Sequence, residues 1–176
     1  MYSYSLFAQS EPRCMVGATC GLMTEFAKSV NEKVDVGPGG SLYATWRVGS
    51  SSGLSLSAQY QYLRSTFGAF NSHEDVEAQY GMFGVRFDVA NTRDAWVPYL
   101  ATAFGFGKTT NFVREVWWDT TSKYIQQTVS TTAITFAIGC NVRPWQKSGI
   151  TTEFRTFVGE DSGLTLGLLT GYFIEF

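Results

Sequence analysis

Leu164–Phe176 reads LTLGLLTGYFIEF. Leu164, Leu166, Leu168, Tyr172, Ile174 and Phe176 share one parity, whereas Thr165, Gly167, Gly171 and Glu175 share the other. Successive side chains of an extended chain point to opposite sides, so this period of two describes a strand with one bulky apolar face. Thr165, Gly167 and Gly171 make much of its second face small, with a single charge at Glu175. That suits a cramped interior better than a wet exterior.

The same reading extends upstream through seven more segments. Arg13–Phe26 sets Cys14, Val16, Ala18, Cys20, Leu22 and Phe26 against Gly17, Thr19, Gly21 and Glu25. Ser41–Gly49 sets Leu42, Ala44, Trp46 and Val48 against Tyr43, Thr45 and Arg47, and the segment from Leu54 sets Leu56, Ala58, Tyr60 and Tyr62 against Ser55, Ser57, Gln59 and Gln61. In Asp75–Val89, Phe83, Val85 and Phe87 alternate with Arg86 and Asp88, but Val76, Ala78 and Tyr80 carry the opposite parity, so a bulge is expected near Tyr80–Met82. Trp96–Gly107 follows. Thr128–Arg143 then opposes Ile134, Phe136, Ile138, Cys140 and Val142 to Thr131, Ala133, Thr135, Ala137, Gly139 and Asn141. In the seventh segment Ile150, Thr152, Phe154 and Val158 oppose Thr151, Glu153 and Arg155.

Eight segments, an even number, are joined by connections of alternating length. Ser50–Gly53, Ala90–Ala95 and Pro144–Gly149 are short; Ala27–Gly40, Arg64–Glu74 and Lys108–Gln127 are longer, and only Gly159–Gly163 breaks the alternation. Short turns on one rim and long loops on the other are typical of transmembrane barrels, with the long loops outside the cell.

Composition agrees. Aromatic residues make up 16% and charged residues 16% of 176 residues, with 18 glycines, as twisted sheet requires. No run of 18 apolar residues exists, which excludes a spanning helix but not spanning strands. The net charge of −2 and the absence of a Lys/Arg stripe leave nucleic-acid binding without an electrostatic footprint. Residues 1–11 read as a leader and 12–176 as one barrel domain. Within the leader, Met1–Gln9 (MYSYSLFAQ) fits either the end of a trimmed signal or a disordered lead-in. Cys14, Cys20 and Cys140 have no metal or redox spacing and serve as small hydrophobes.

A soluble barrel would turn its large apolar residues inward. Here the polar set is rich in Gly, Ala, Ser and Thr, with charges of both signs at Arg47, Arg86, Glu153, Arg155 and Glu175. These side chains fit the lumen of an eight-stranded barrel, where they are expected to form an interior polar network that fixes packing rather than a conducting pore. The apolar set suits acyl chains, and a closed barrel leaves no unpaired backbone for lipid to meet. The expected fold is therefore all-β: an eight-stranded antiparallel up-and-down transmembrane β-barrel. Trp46, Trp96, Tyr60, Tyr62, Tyr172 and Phe176 fall near strand ends, where aromatic girdles belong.

Thr170–Phe176 also resembles the terminal signal by which barrel-assembly machinery recognises outer-membrane proteins, with Gly171, Tyr172, Ile174 and Phe176 at its positions. Tyr99–Gly107 (YLATAFGFG) and Gly81–Asp88 (GMFGVRFD) are similar to strands of the small OmpA-, OmpX- and opacity-type barrels. The resemblance implies a bacterial outer-membrane location, contact with bilayer and outer-leaflet lipid, insertion by the assembly machinery, and loops that engage an extracellular or envelope protein.

Chemistry is sparse. His73, the only histidine, stands in Ser72-His73-Glu74-Asp75 at an outer-loop boundary. A lipid-modifying hydrolase would use Ser72 and His73, yet neighbours in an extended chain point apart and cannot alone form a triad. Gly107-Lys108-Thr109 lacks the earlier glycine and following helix of a phosphate loop. No carboxylate has His or Cys companions at ligand spacing, so neither cofactor nor metal is expected. The most suggestive surface feature is Phe112–Gln127, containing Trp117, Trp118 and Tyr124. Its β-prone halves flank Thr120–Ser122, so segments five and six are expected to continue as a hairpin above the membrane, offering a strand edge for binding. The functional expectation is a non-enzymatic outer-membrane barrel whose surface loops serve binding, adhesion or envelope integrity, with a lipid-modifying enzyme or a narrow channel as rivals.

Overall fold

The computed structural model describes residues 14–26, 35–48, 53–69, 72–89, 94–116, 122–145, 147–159 and 164–176. The leader expected at residues 1–11 lies outside them. The strands are β1 (Cys14–Phe26), β2 (Asp35–Arg47), β3 (Leu54–Ala69), β4 (Ser72–Asp88), β5 (Trp96–Val116), β6 (Ser122–Trp145), β7 (Ser148–Gly159) and β8 (Leu164–Glu175). Each pairs antiparallel with its neighbours in sequence, and β8 returns to β1, closing the barrel. At the closing seam the Cys14 N–H donates to the Phe176 carbonyl at 3.4 Å, and the Phe176 N–H donates to the Cys14 carbonyl at 2.9 Å.

The registers fix the barrel's shape. From Cys14, paired residues lead through Trp46, Leu56, Val85, Thr102, Phe136, Thr156 and Leu166 back to β1 at Thr24, about ten residues higher on the strand. With eight strands, that stagger corresponds to a tilt of roughly 40°, given the usual rise per residue and strand spacing.

Side-chain direction separates the two candidate environments. Leu56 and Phe136 are 56% and 55% exposed on the outer wall, whereas Glu153 and Arg155 are 4% exposed in the lumen. Outward Val16, Leu42, Phe83, Leu100, Ile138, Phe154 and Leu168 continue the apolar wall around all eight strands. A surface this greasy is a lipid-facing surface, and its closed hydrogen-bond ladder leaves no edge within it. Trp46, Trp96, Trp145 and Phe176 stand exposed near the short-turn rim, with Trp145 and Tyr172 ring centroids 6.2 Å apart.

Three local expectations need correction. There is no bulge near Tyr80–Met82: β4 keeps an unbroken register with β3 and β5. Ala78, Tyr80 and Met82 share the inward parity of Arg86 and Asp88 and are buried. The parity conflict has another origin, because the lumen toward the long-loop rim is itself apolar. Among the described pairs the register shift lies instead between Val142 and Trp145. The connection expected at Ala27–Gly40 is shorter, since Pro38, Gly39 and Gly40 already pair with Leu22, Gly21 and Cys20. Pro38 lacks an N–H and is paired with β1 but not β3, which is where a strand tolerates proline. The connection expected at Arg64–Glu74 also contracts, because β3 and β4 pair as far as Ala69 and Ser72.

Candidate functional site

Two places concentrate polar or unpaired groups: the lumen, and the sheet that rises above the long-loop rim.

The lumen is layered. Toward the long-loop rim, Met23, Leu63, Ala78, Tyr80, Met82, Ala103, Ala133, Phe157 and Leu169 form one buried apolar cluster. Tyr80 and Phe157, contributed by β4 and β7, meet edge to face with centroids 4.8 Å apart. Tyr80 also hydrogen-bonds Thr109 at 3.1 Å, so its polar tip is satisfied beside the apolar layer.

Toward the short-turn rim the lumen is ionic. Of the five charges singled out in the sequence, Glu153 and Arg155 meet directly, with a 2.6 Å ion pair. Alternation explains that meeting: residues two apart on β7 point to the same side. Arg155 donates across the lumen to Gln61 on β3, and the Tyr99 hydroxyl donates to Glu153 at 2.8 Å. Arg86 is not brought to those carboxylates. Its Nε donates to Asp88 at 2.8 Å, its guanidinium lies 3.6 Å over the Tyr99 ring, and Arg47 approaches the other Asp88 oxygen at 3.7 Å. Glu175 pairs with Arg143, whose guanidinium stands 5.5 Å from the Phe173 ring. Asp88 and Arg143 were not singled out in the sequence, although both carry the inward parity of their strands. Parity was the signal that could have found them.

Two tyrosines in this layer lie over glycines. Tyr43 is the register partner of Gly17 and Tyr99 of Gly139; a Cβ at either glycine would strike the facing ring. Glycine here lets a ring lie flat against the neighbouring strand and turn its hydroxyl into the lumen.

The second region follows from unequal pairing. β2 and β3 part above Gly39 and Leu63, and β6 has β7 as partner only from Ala133 downward among the described residues. Meanwhile β3–β4, β4–β5 and β5–β6 pair on to Ala69↔Ser72, Glu74↔Val113 and Val116↔Ser122. A four-stranded sheet thus stands above one side of the rim. β6 has 24 residues against 12 in β7, so the edge Ser122–Thr132 extends about 35 Å along the strand at ~3.3 Å per residue. Gln126, Gln127, Thr128, Val129 and Ser130 are all exposed.

The remaining sequence candidates are placed as follows. Trp117 and Trp118 lie outside the described residues, and Tyr124 pairs with Arg114 in the raised part of β6. Ser72 and His73 occupy the start of β4, opposite Ala69 and Gly68. Gly171 packs where a Cβ would strike the Ala18 backbone, whereas Tyr172, Ile174 and Phe176 face outward. Among the described residues no group of three His, Cys, Asp or Glu side chains has metal-binding geometry.

Solved structures share this architecture. Neisserial surface protein A matches with a TM-score of 0.66 at 11% identity, covering 93% of this chain and 97% of its own. The chain has the fold of the small outer-membrane β-barrels. Ail, the attachment invasion locus protein of Yersinia pestis, matches at 0.62 and 13% identity over 93% of this chain and 99% of its own. A major outer membrane protein of Thermus thermophilus matches at 0.60 and 8% identity over 92% and 99%. At such identities the likeness is one of fold. No family model and no curated protein matches by sequence.

Proposed function

We propose that this chain is a non-enzymatic protein of the bacterial outer membrane that captures an extended segment of an extracellular or envelope protein along its raised sheet. The observation carrying this reading is the β6 edge at Ser122–Thr132, which has β5 on one side and no strand partner on the other among the described residues. Such an edge presents a row of backbone donors and acceptors that an incoming strand can complete. Tyr124–Thr132 (YIQQTVSTT) contains no charge and no proline, so it lacks the residues with which exposed edges are usually blunted. Trp117, Trp118 and Tyr124 are the aromatic residues of this stretch that we assign to the capture. The attachment role in the name of Ail, which shares the fold, is consistent with adhesion here.

Gly171, Tyr172, Ile174 and Phe176 would guide insertion by the assembly machinery, and the outer wall would contact outer-leaflet lipid.

The test is adherence of bacteria displaying equal amounts of wild type or a Thr128→Lys/Ser130→Lys variant to immobilised extracellular-matrix protein. Charges on the edge should abolish most adherence without altering barrel folding. Equal adherence would remove the strand-addition reading.

A further inference from the structure

The outer side of β6 is uncharged and matches itself. Tyr124–Ser130 (YIQQTVS) pairs with β5 from Arg114 to Lys108, and among the described residues no strand pairs with its other side. Residues of an antiparallel strand alternate in turning their N–H and C=O toward one neighbour and then the other. Two copies of one edge therefore complete each other only when residues of like parity face, which puts the two-fold axis through a residue. Gln127 is the middle residue of the stretch. An axis there sets Tyr124 against Ser130, Ile125 against Val129, Gln126 against Thr128 and Gln127 against itself. The Ile–Val opposition of β-branched residues occurs twice and favours a ladder, and no charge meets a like charge in these pairs.

The bilayer decides where the second copy sits. Copies in one membrane are related by an axis along the bilayer normal. Such an axis turns a strand tilted by roughly 40° into one crossing it at roughly 80°, too divergent to share a hydrogen-bond ladder. Antiparallel pairing instead needs an axis perpendicular to the raised sheet, lying parallel to the membrane plane. That axis points the two barrels in opposite directions, so each is anchored in its own bilayer.

We propose that the partner of the β6 edge is a second copy of this chain in a facing membrane, the two edges pairing antiparallel about Gln127. This rests on the strand-capture reading of the same edge and names its occupant. The two four-stranded sheets then join into one of eight strands. The two long-loop rims stand about 30 Å apart, given the usual rise per residue along tilted strands. Gln126, Gln127, Thr128, Val129 and Ser130, all exposed in the single chain, form the centre of the joint.

Phosphatidylcholine vesicles carrying the protein with its long-loop rim outward should cluster with one another, seen as a several-fold rise in light scattering, and not with protein-free vesicles. Clustering should be lost in Thr128→Lys/Ser130→Lys, with heat-modifiable migration on gels reporting that the barrel still closes. The register is read by single cysteines in a protein freed of Cys14, Cys20 and Cys140, which also serve should the lysine variant fail to fold. Gln127→Cys should form a disulfide-linked dimer between vesicles, because directly opposed residues lie within disulfide reach. Ile125→Cys should link to Val129→Cys on other vesicles and not to itself. Vesicles that stay dispersed, clustering that survives the two lysines, or self-linked Ile125→Cys would overturn the assignment. Dispersed vesicles with adherence to matrix protein intact would remove the second copy and leave strand capture standing; loss of both would remove the capture reading as well.

Discussion

Tyr80 on β4 and Phe157 on β7 touch edge to face across the lumen, with 4.8 Å between ring centroids and neither ring exposed. Strands four and seven are not neighbours in the barrel, so this contact braces opposite walls and fills the space between them. Eight-stranded barrels are just wide enough for side chains to fill.

Ion conduction should accordingly be absent. Planar-bilayer recordings of wild type should show no unitary currents, and Tyr80→Ala/Phe157→Ala should introduce them. Phe157→Ala alone should cost about 3–5 kcal/mol of unfolding free energy, through lost contacts and a cavity. Steady wild-type currents would restore the channel reading.

The Glu153–Arg155 pair should behave as buried pairs do. Arg155→Met leaves Glu153 uncompensated and should destabilise by roughly 3–5 kcal/mol. Adding Glu153→Gln should recover much of that loss, because the carboxylate no longer lacks its partner. A double-mutant cycle in urea measures the coupling; simple additivity would count against the pairing.

Glycines should separate by what faces them. Gly139 lies under the Tyr99 ring, so Gly139→Ala should displace the ring, weaken its 2.8 Å bond to Glu153 and lower the Tm. A Cβ at Gly81 meets nothing within 4 Å, so Gly81→Ala should leave the Tm nearly unchanged. Equal effects at both positions would contradict the packing described.

The lipid wall should be depth-sensitive. Phe136→Arg, within the apolar belt, should cost about 2–4 kcal/mol in bilayers, whereas Trp96→Arg, near the rim, should cost roughly 0–1 kcal/mol. Unfolding titrations in lipid vesicles measure both.

The fold was legible because a membrane barrel writes its two environments on alternate residues. Leu54–Tyr62 and Thr128–Arg143 display the period clearly, and Leu164–Phe176 does so apart from Leu169 and Phe173, which are buried on the lumen face. Val76–Met82 misled because that reading assumes a polar interior, and here the interior changes from ionic near Arg86 to apolar near Tyr80. The extensions of β2 through Pro38 to Asp35 and of β3 through Gly68 to Ala69 were hidden for a related reason: proline and glycine punctuate loops in sequence but are tolerated on an unshared edge. Partners within the lumen were least legible. Alternation places Asp88 beside Arg86 on β4, but that Arg86 lies over Tyr99 and that Arg155 reaches Gln61 depend on register and closure between strands, which alternation along one strand does not encode.

The orientation of the strands is tested most directly by spin labels placed singly at Leu56, Phe136 and Leu168, and at Gln59, Thr135 and Arg155, in a cysteine-free protein reconstituted in lipid vesicles. The account predicts high collision rates with dissolved oxygen and low rates with a water-soluble nickel chelate at the first three, and restricted contact with oxygen at the second three. Oxygen-accessible labels at Gln59, Thr135 and Arg155, with immobilised labels shielded from lipid at Leu56, Phe136 and Leu168, would contradict it.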